Sequence, residues 1–260
     1  MKLFALLLIL SFIILAKTDE KDQKIKPRIA GGFRAKPYTI LYIVGIVLSE
    51  SCHSKLEFGA GTIIGSQWVL TVATLCKYKY VEVHIGSRRG WEGFEISRVY
   101  KENYFIHPNK KHDVALLKCP HMKWDNRMIR IRVPNAKTWS DRHVDNLTIS
   151  CGWGAEKRHG PLQNWLRCMV VRIISNEECA KDYPPLASWQ MCTSGLGGKG
   201  ICEGDLGGPV VGITTVKPVV LGMMDLSPDD CAVNSSQPSI HIRVSDHLKW
   251  IYKVSYIEWY

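Results

Sequence analysis

The sequence predicts an all-β fold, a barrel or a sandwich, closed by one terminal helix. Two observations carry this. From about residue 39 to residue 244, short runs rich in β-branched and aromatic residues recur, each bounded by turn-forming residues. Only the stretch 245–260 has helical spacing, with Leu248, Ile251, Tyr252 and Ser255 on one face. A third observation sets the scale: 260 residues, 46% of them hydrophobic, can bury a substantial core.

In chain order, MKLFALLLILSFIILA (1–16) reads as a secretory signal: Lys2 is the charged start, Leu3 to Leu15 the apolar core and Ala16 the small residue before a charged stretch. A membrane anchor is the alternative, but the run is short for a span of roughly 20 residues. Residues 17–28, KTDEKDQKIKPR, lack a hydrophobic pattern and read as a flexible pro-segment. The β-rich runs follow, among them TILYIVGIVL, GTIIGSQWVLTVATL, YVEVHIG, DVALLKC, LTISCGW, WLRCMVVRII, GPVVGITTV, VVLGMM and SIHIRV. No later stretch is long and apolar enough to cross a bilayer, and no internal repeat or low-complexity segment is found.

All nine cysteines lie after the signal, which predicts disulfides and an oxidising, extracellular compartment, with one thiol left over or paired to another chain. Asn146-Leu-Thr148 and Asn234-Ser-Ser236 are sugar-acceptor triplets. The net charge is +10, and a chain beginning at Ile29 would carry +7. Basic pairs recur (Arg88-Arg89, Lys110-Lys111, Lys157-Arg158), as do Arg127, Arg130 and Arg132. The plain reading is a solvated basic surface; the sharper one is attraction to polyanions such as sulfated sugars, anionic lipid or acidic protein faces. No nucleic-acid motif accompanies the charge, and neither a metal site nor a cofactor is read in the chain.

Four separated stretches now point one way: RIAGG (28–32), WVLTVATLC (68–76), HDVALLKC (112–119) and CEGDLGGPVV (202–211). They resemble, in order and spacing, the activation, histidine, aspartate and nucleophile segments of trypsin-like serine proteases. SCGWG (150–154) and LKWI (248–251) add weaker support. The resemblance covers residues 29–260. It implies the chymotrypsin fold: two six-stranded antiparallel β-barrels, one over about 29–134 and one over about 135–244, a C-terminal helix over about 245–260, and a cleft between the barrels.

It also exposes what the chain has lost. Acyl transfer on this template needs a hydroxyl nucleophile, a base within hydrogen-bond reach and an acid that orients the base. Asp113 matches the acid. Between Trp68 and Cys76 the chain has one residue more than the family pattern, so either Thr74 or Leu75 falls at the histidine position, and neither takes a proton at neutral pH. The nucleophile position holds Leu206. His112 adjoins Asp113, but neighbours on a strand point to opposite faces, and His84 lies on another predicted strand.

The specificity pocket is altered as well. Gly200 stands where trypsin has the aspartate that selects Lys or Arg; the family's S-W-G segment aligns with Asp225, Leu226 and Ser227; a wall glycine aligns with Ser239. The expectation is a closed pocket, with any binding outside the old cleft. The activation machinery remains: Arg28 precedes Ile29, and Asp205 matches the residue that receives the freed ammonium. By resemblance Cys179 pairs with Cys192 and Cys202 with Cys231. Gly59 replaces a family cysteine, so Cys76 is expected to take Cys52 instead, leaving Cys119, Cys151 and Cys168; the last two are favoured as a bridge.

The expected function is therefore that of a secreted, inactive homologue acting by binding. The retained activation site, the replaced catalytic residues and the lack of a cysteine after I-x-G-G resemble the inactivated protease paralogues of the scabies mite, relatives of the group 3 mite allergens. That resemblance implies secretion into the mite gut and inhibition of host complement. Alternatives are a polyanion-binding or antimicrobial homologue, like the heparin-binding inactive relatives of neutrophil proteases, a cofactor homologue in an arthropod cascade, and a protease with unorthodox catalysis.

Overall fold

The computed structural model describes residues 32–48, 57–87, 89–122, 125–135, 141–213, 217–226, 231 and 236–257. Among the described residues fourteen strands form two antiparallel sheets. In the first half run β1 (Phe33–Arg34), β2 (Ile43–Leu48), β3 (Phe58–Gly65), β4 (Trp68–Val72), β5 (Tyr80–Ile85), β6 (Glu95–Tyr100), β7 (Tyr104–Ile106) and β8 (Val114–Lys118). The second half contributes β9 (Leu147–Gly152), β10 (Arg167–Ile174), β11 (Gln190–Thr193), β12 (Pro209–Gly212), β13 (Val219–Leu226) and β14 (Ser239–Arg243). One helical turn, α1 (Asn176–Cys179), and the closing helix α2 (Leu248–Ser255) complete the order.

The two sheets close differently. The second runs β10-β11-β14-β13-β12-β9 and returns through a β9–β10 ladder, so six strands make a closed barrel. The first runs β6-β5-β2-β3-β4-β8-β7 with no ladder joining its ends, so it is a seven-stranded half-barrel rather than the closed six-stranded one expected. β1 falls within the range assigned to the first barrel, yet it pairs with β10 of the second, Phe33 opposite Cys168.

Sequence explains the burial. β2, β3 and β8 are nearly continuous aliphatic runs (IVGIVL, FGAGTIIG, VALLK) and are covered on both sides. β6 (EISRVY) alternates, burying Ser97 and Val99. One apolar cluster runs from Val44, Ile46, Ile63 and Leu70 of the first sheet to Met223, Ile242 and Val244 of the second, with Leu248 and Ile251 of α2 in the same cluster. α2 buries Leu248, Ile251 and Ser255 but leaves Tyr252 45% exposed, so Tyr252 departs from the face expected of it; the half-buried Val254 packs on the cluster instead. A strap over 129–133 ties the sheets: Ile129 N–H donates to Leu41 O (3.1 Å), Ile131 N–H to Ile63 O (2.9 Å), and Val220 N–H to Arg132 O (2.9 Å).

Among the described residues there are three disulfides, Cys151–Cys168, Cys179–Cys192 and Cys202–Cys231, all in the second half. Cys151 and Cys168 are direct partners in the β9–β10 register. Cys76 and Cys119 are buried thiols. Cys52, the partner expected for Cys76, lies outside the described residues.

Candidate active-site cleft

β4 delivers the chain into a 3₁₀ turn, Ala73–Lys77, at the junction of the two sheets. Asp113 follows a second such turn, Lys110–His112, in left-handed backbone conformation (φ 49°). The two turns meet. Thr74 donates its backbone N–H to Asp113 Oδ1 (2.7 Å) and its hydroxyl to Oδ2 (2.9 Å), while Ala73 N–H donates to the Asp113 carbonyl (3.1 Å). Burial pushes the Asp113 carboxyl up, and the Thr74 and Ala73 donors partly offset it.

Of the two residues that compete for the histidine position, then, Thr74 sits on Asp113. Leu75 turns inward, 4% exposed, and packs on Gly59: a Cβ added there would lie 2.5 Å from a Leu75 methyl. Leu75 thus fills the space that Gly59 leaves beside it. Leu206 follows Asp205 in a tight turn and accepts a hydrogen bond from Ala60 N–H (2.7 Å). Thr74, Leu75 and Leu206 line one open groove of about 650 Å³, whose other walls include Phe58, Trp91 and Leu162. Phe58 meets both Trp91 and Trp153 edge-on.

Asp205 is 1% exposed, and its carboxylate is held by Gly154 N–H (2.8 Å) and Cys202 N–H (3.0 Å). Burial raises its pKa to about 6 against the pull of those donors. Gly152 and Gly154 are required here, because a Cβ on either would strike the carboxylate. Arg28 and Ile29 lie outside the described residues, as does Ser227. Ser239, 1% exposed, turns its hydroxyl toward Gly200 and accepts from Ile201 N–H (3.2 Å). Leu226 ends β13.

Asp225 does something the sequence did not suggest. Burial, and secondarily the charge of Asp113, push its pKa up to about 6. A linear pattern does not reveal that the charge of Asp113 bears on this position.

His112 points away from the cleft. Its Nδ1 lies 2.8 Å from His247 Nε2, and its ring stacks between His107 (centroids 4.6 Å apart) and Trp189 (4.2 Å). His247 Nδ1 faces the Arg243 carbonyl at 2.8 Å. This cluster joins the turn before Asp113 to the entry of α2. His84 lies in β5, where its Nδ1 accepts from Gly93 N–H (3.2 Å). Among the described residues no group of three His, Cys, Asp or Glu is placed to hold a metal ion, and no helix is long and apolar enough to cross a membrane.

Comparison with known proteins agrees with this geometry. The family model described as trypsin matches residues 29–251. "Serine protease 1" of Drosophila melanogaster is 28% identical over 248 residues, covering 91% of this chain and 88% of that one. "Collagenase" of Hypoderma lineatum is 27% identical over 232 residues, 86% of each. Human "Kallikrein-11" is 29% identical over 239 residues, 86% of this chain and 79% of its own. Among solved structures, HL collagenase superimposes with a TM-score of 0.76 at 24% identity, over 88% of this chain and 99% of that chain. Mouse neuropsin gives 0.72 at 21%, over 85% and 97%.

Proposed function

Because the chain belongs to the trypsin family, we propose that it is a proteolytically inactive member that acts by binding. The observation that carries this is the hydroxyl of Thr74 donating to Asp113, the contact we assign to the imidazole of an active member. A threonine there offers no ring nitrogen to draw a proton from a nucleophile, and Leu206 offers no proton to draw. Losing one triad member already costs orders of magnitude in rate. The test is labelling with a fluorophosphonate probe alongside ester hydrolysis. Neither should be detectable, and Leu206→Ser alone should stay silent; stoichiometric labelling of pure wild-type protein would overturn the reading.

The three disulfides support secretion, since such bridges persist in oxidising compartments. The partner we propose is a host proteolytic cascade, complement foremost, on the strength of the resemblance to the inactivated mite paralogues. Cleavage after Arg28 would free the Ile29 ammonium, and the buried Asp205 carboxyl is the acceptor we assign to it. The mechanism is occupancy, so inhibition should saturate with dose and leave no cleaved complement fragments. Titrating mature protein into a haemolysis assay tests this; no inhibition at about micromolar protein, an affinity of roughly 8 kcal/mol, removes complement as the partner.

A further inference from the structure

Far from the catalytic positions, Arg34 of β1, Lys36 just after it and Arg127 ahead of the strap line a small, partly open hollow of about 40 Å³, walled also by Tyr38, Ser87 and Trp165 and by apolar side chains such as Ile40, Ile43 and Leu166. That space holds roughly three water-sized groups, the size of a tetrahedral oxyanion head. None of the described residues lining it is acidic. The Ser87 hydroxyl is buried there with no hydrogen-bond partner, a donor awaiting an acceptor. The Arg34 guanidinium carbon lies over the Trp165 ring, 3.7 Å from its centre, and this cation–π contact holds the charge at the hollow while the N–H groups, in the guanidinium's own plane, point to its edges. Arg127 lies over Phe94 in the same way (3.1 Å), but Asp125 takes its Nε (2.8 Å), so Arg127 contributes the least charge of the three.

We propose that this hollow binds a sulfate monoester carried on a sulfated polysaccharide. A tetrahedral head presents several oxygens in different directions, matching donors that arrive from β1, from Ser87 and from Arg127. Tyr38 and Phe94, 60% and 66% exposed, offer apolar faces beside it for sugar rings, and the +7 charge after Ile29 favours a repeating polyanion. The proposal rests on the reading that the protein acts by binding; it does not require complement to be the partner.

The probe is a heparin-derived octasaccharide, titrated calorimetrically into the full chain at low and moderate salt. Arg34→Gln with Lys36→Gln should weaken binding about tenfold and flatten its salt dependence. Ser87→Ala should weaken it about threefold with the salt dependence unchanged. Arg130→Gln with Arg132→Gln, at a separate groove beside Lys217, should leave it intact. Unchanged affinity in both the Arg34/Lys36 and Ser87 variants, each with wild-type circular dichroism, overturns the site. So does equal loss in the Arg130/Arg132 variant, which would mean diffuse charge, or tighter binding of a phosphoserine peptide, which would mean a phosphoprotein ligand. A silent haemolysis assay leaves this titration untouched, so the two readings fail separately.

Discussion

The second barrel closes on itself through the β9–β10 ladder and carries all three disulfides, whereas the first is an open half-barrel whose described cysteines, Cys76 and Cys119, are buried thiols. Burial, with the Asp113 charge adding at Cys76 and the Glu95 charge at Cys119, pushes both thiols up to about 12, so at neutral pH they stay protonated and behave as small apolar groups. Among the described residues, covalent loops occur in one half and aliphatic packing alone in the other. The cleft lies where they meet: the first half contributes Thr74, Leu75 and Asp113, the second Leu206. The lesson is that the shape of the cleft depends on the joint between two differently stabilised halves.

Breaking the covalent half should have the largest effect. Cys202 and Cys231 are 29 residues apart, and replacing both with alanine should cost about 3 to 4 kcal/mol of unfolding free energy, measured by urea titration. A cost well under 1 kcal/mol would mean that the second barrel, too, rests on packing.

The joint itself should respond to acid. His247 Nδ1 donates to the Arg243 carbonyl, which leaves Nε2 to accept from His112 Nδ1–H. Burial, with the neighbouring His112 and His107, holds the His247 pKa down to about 4; Asp246, paired with Arg142, and the Arg243 carbonyl pull the other way. His112 is lowered too, first by burial and then by His107. An imidazole depressed in the folded state contributes stability that is whole above the unfolded pKa, about 6.5, and lost as pH falls toward about 4. The loss should reach about 3 kcal/mol for His247. Asp205 and Asp225, raised to about 6, slope oppositely, so the measurement is the difference between wild type and His247→Gln across pH 7 to 4.5. Parallel curves would sink the assignment.

Sharpening the packed half comes next. Leu75→Ala vacates the contact with Gly59 and should cost about 2 to 3 kcal/mol by cavity formation, read as a lower urea midpoint at unchanged slope. The smallest effect is expected at Thr74→Val, which keeps the backbone N–H to Asp113 and deletes the hydroxyl donor. It should cost about 1 kcal/mol and raise the Asp113 pKa further, followed by NMR titration of the carboxyl. A lowered pKa would contradict the hydrogen-bond geometry.

Much of this was legible in the sequence because it is written in local patterns. β-rich runs such as YVEVHIG and DVALLKC became β5 and β8, and the segments around Asp113 and Leu206 lie in linear motifs. What stayed hidden depends on distant partners. Which of Thr74 and Leu75 reaches Asp113 depends on a contact 39 residues away. That β1 joins the opposite sheet is set by its register with β10, more than 130 residues on. His112 was read as a failed base, but its true partner is His247, a contact no local pattern encodes. The Arg34, Ser87 and Arg127 hollow, likewise, exists only once three segments fold together.

The seat of Leu75 against Gly59 also bears on how far the groove can be reshaped. Its side chain closes the space that a glycine leaves open in β3, while the same residue forms part of the groove wall. It is masonry as much as lining. Trimming it to widen the groove would first open a hole in the packed half-barrel, so the wall can be redecorated at its rim more cheaply than at its base.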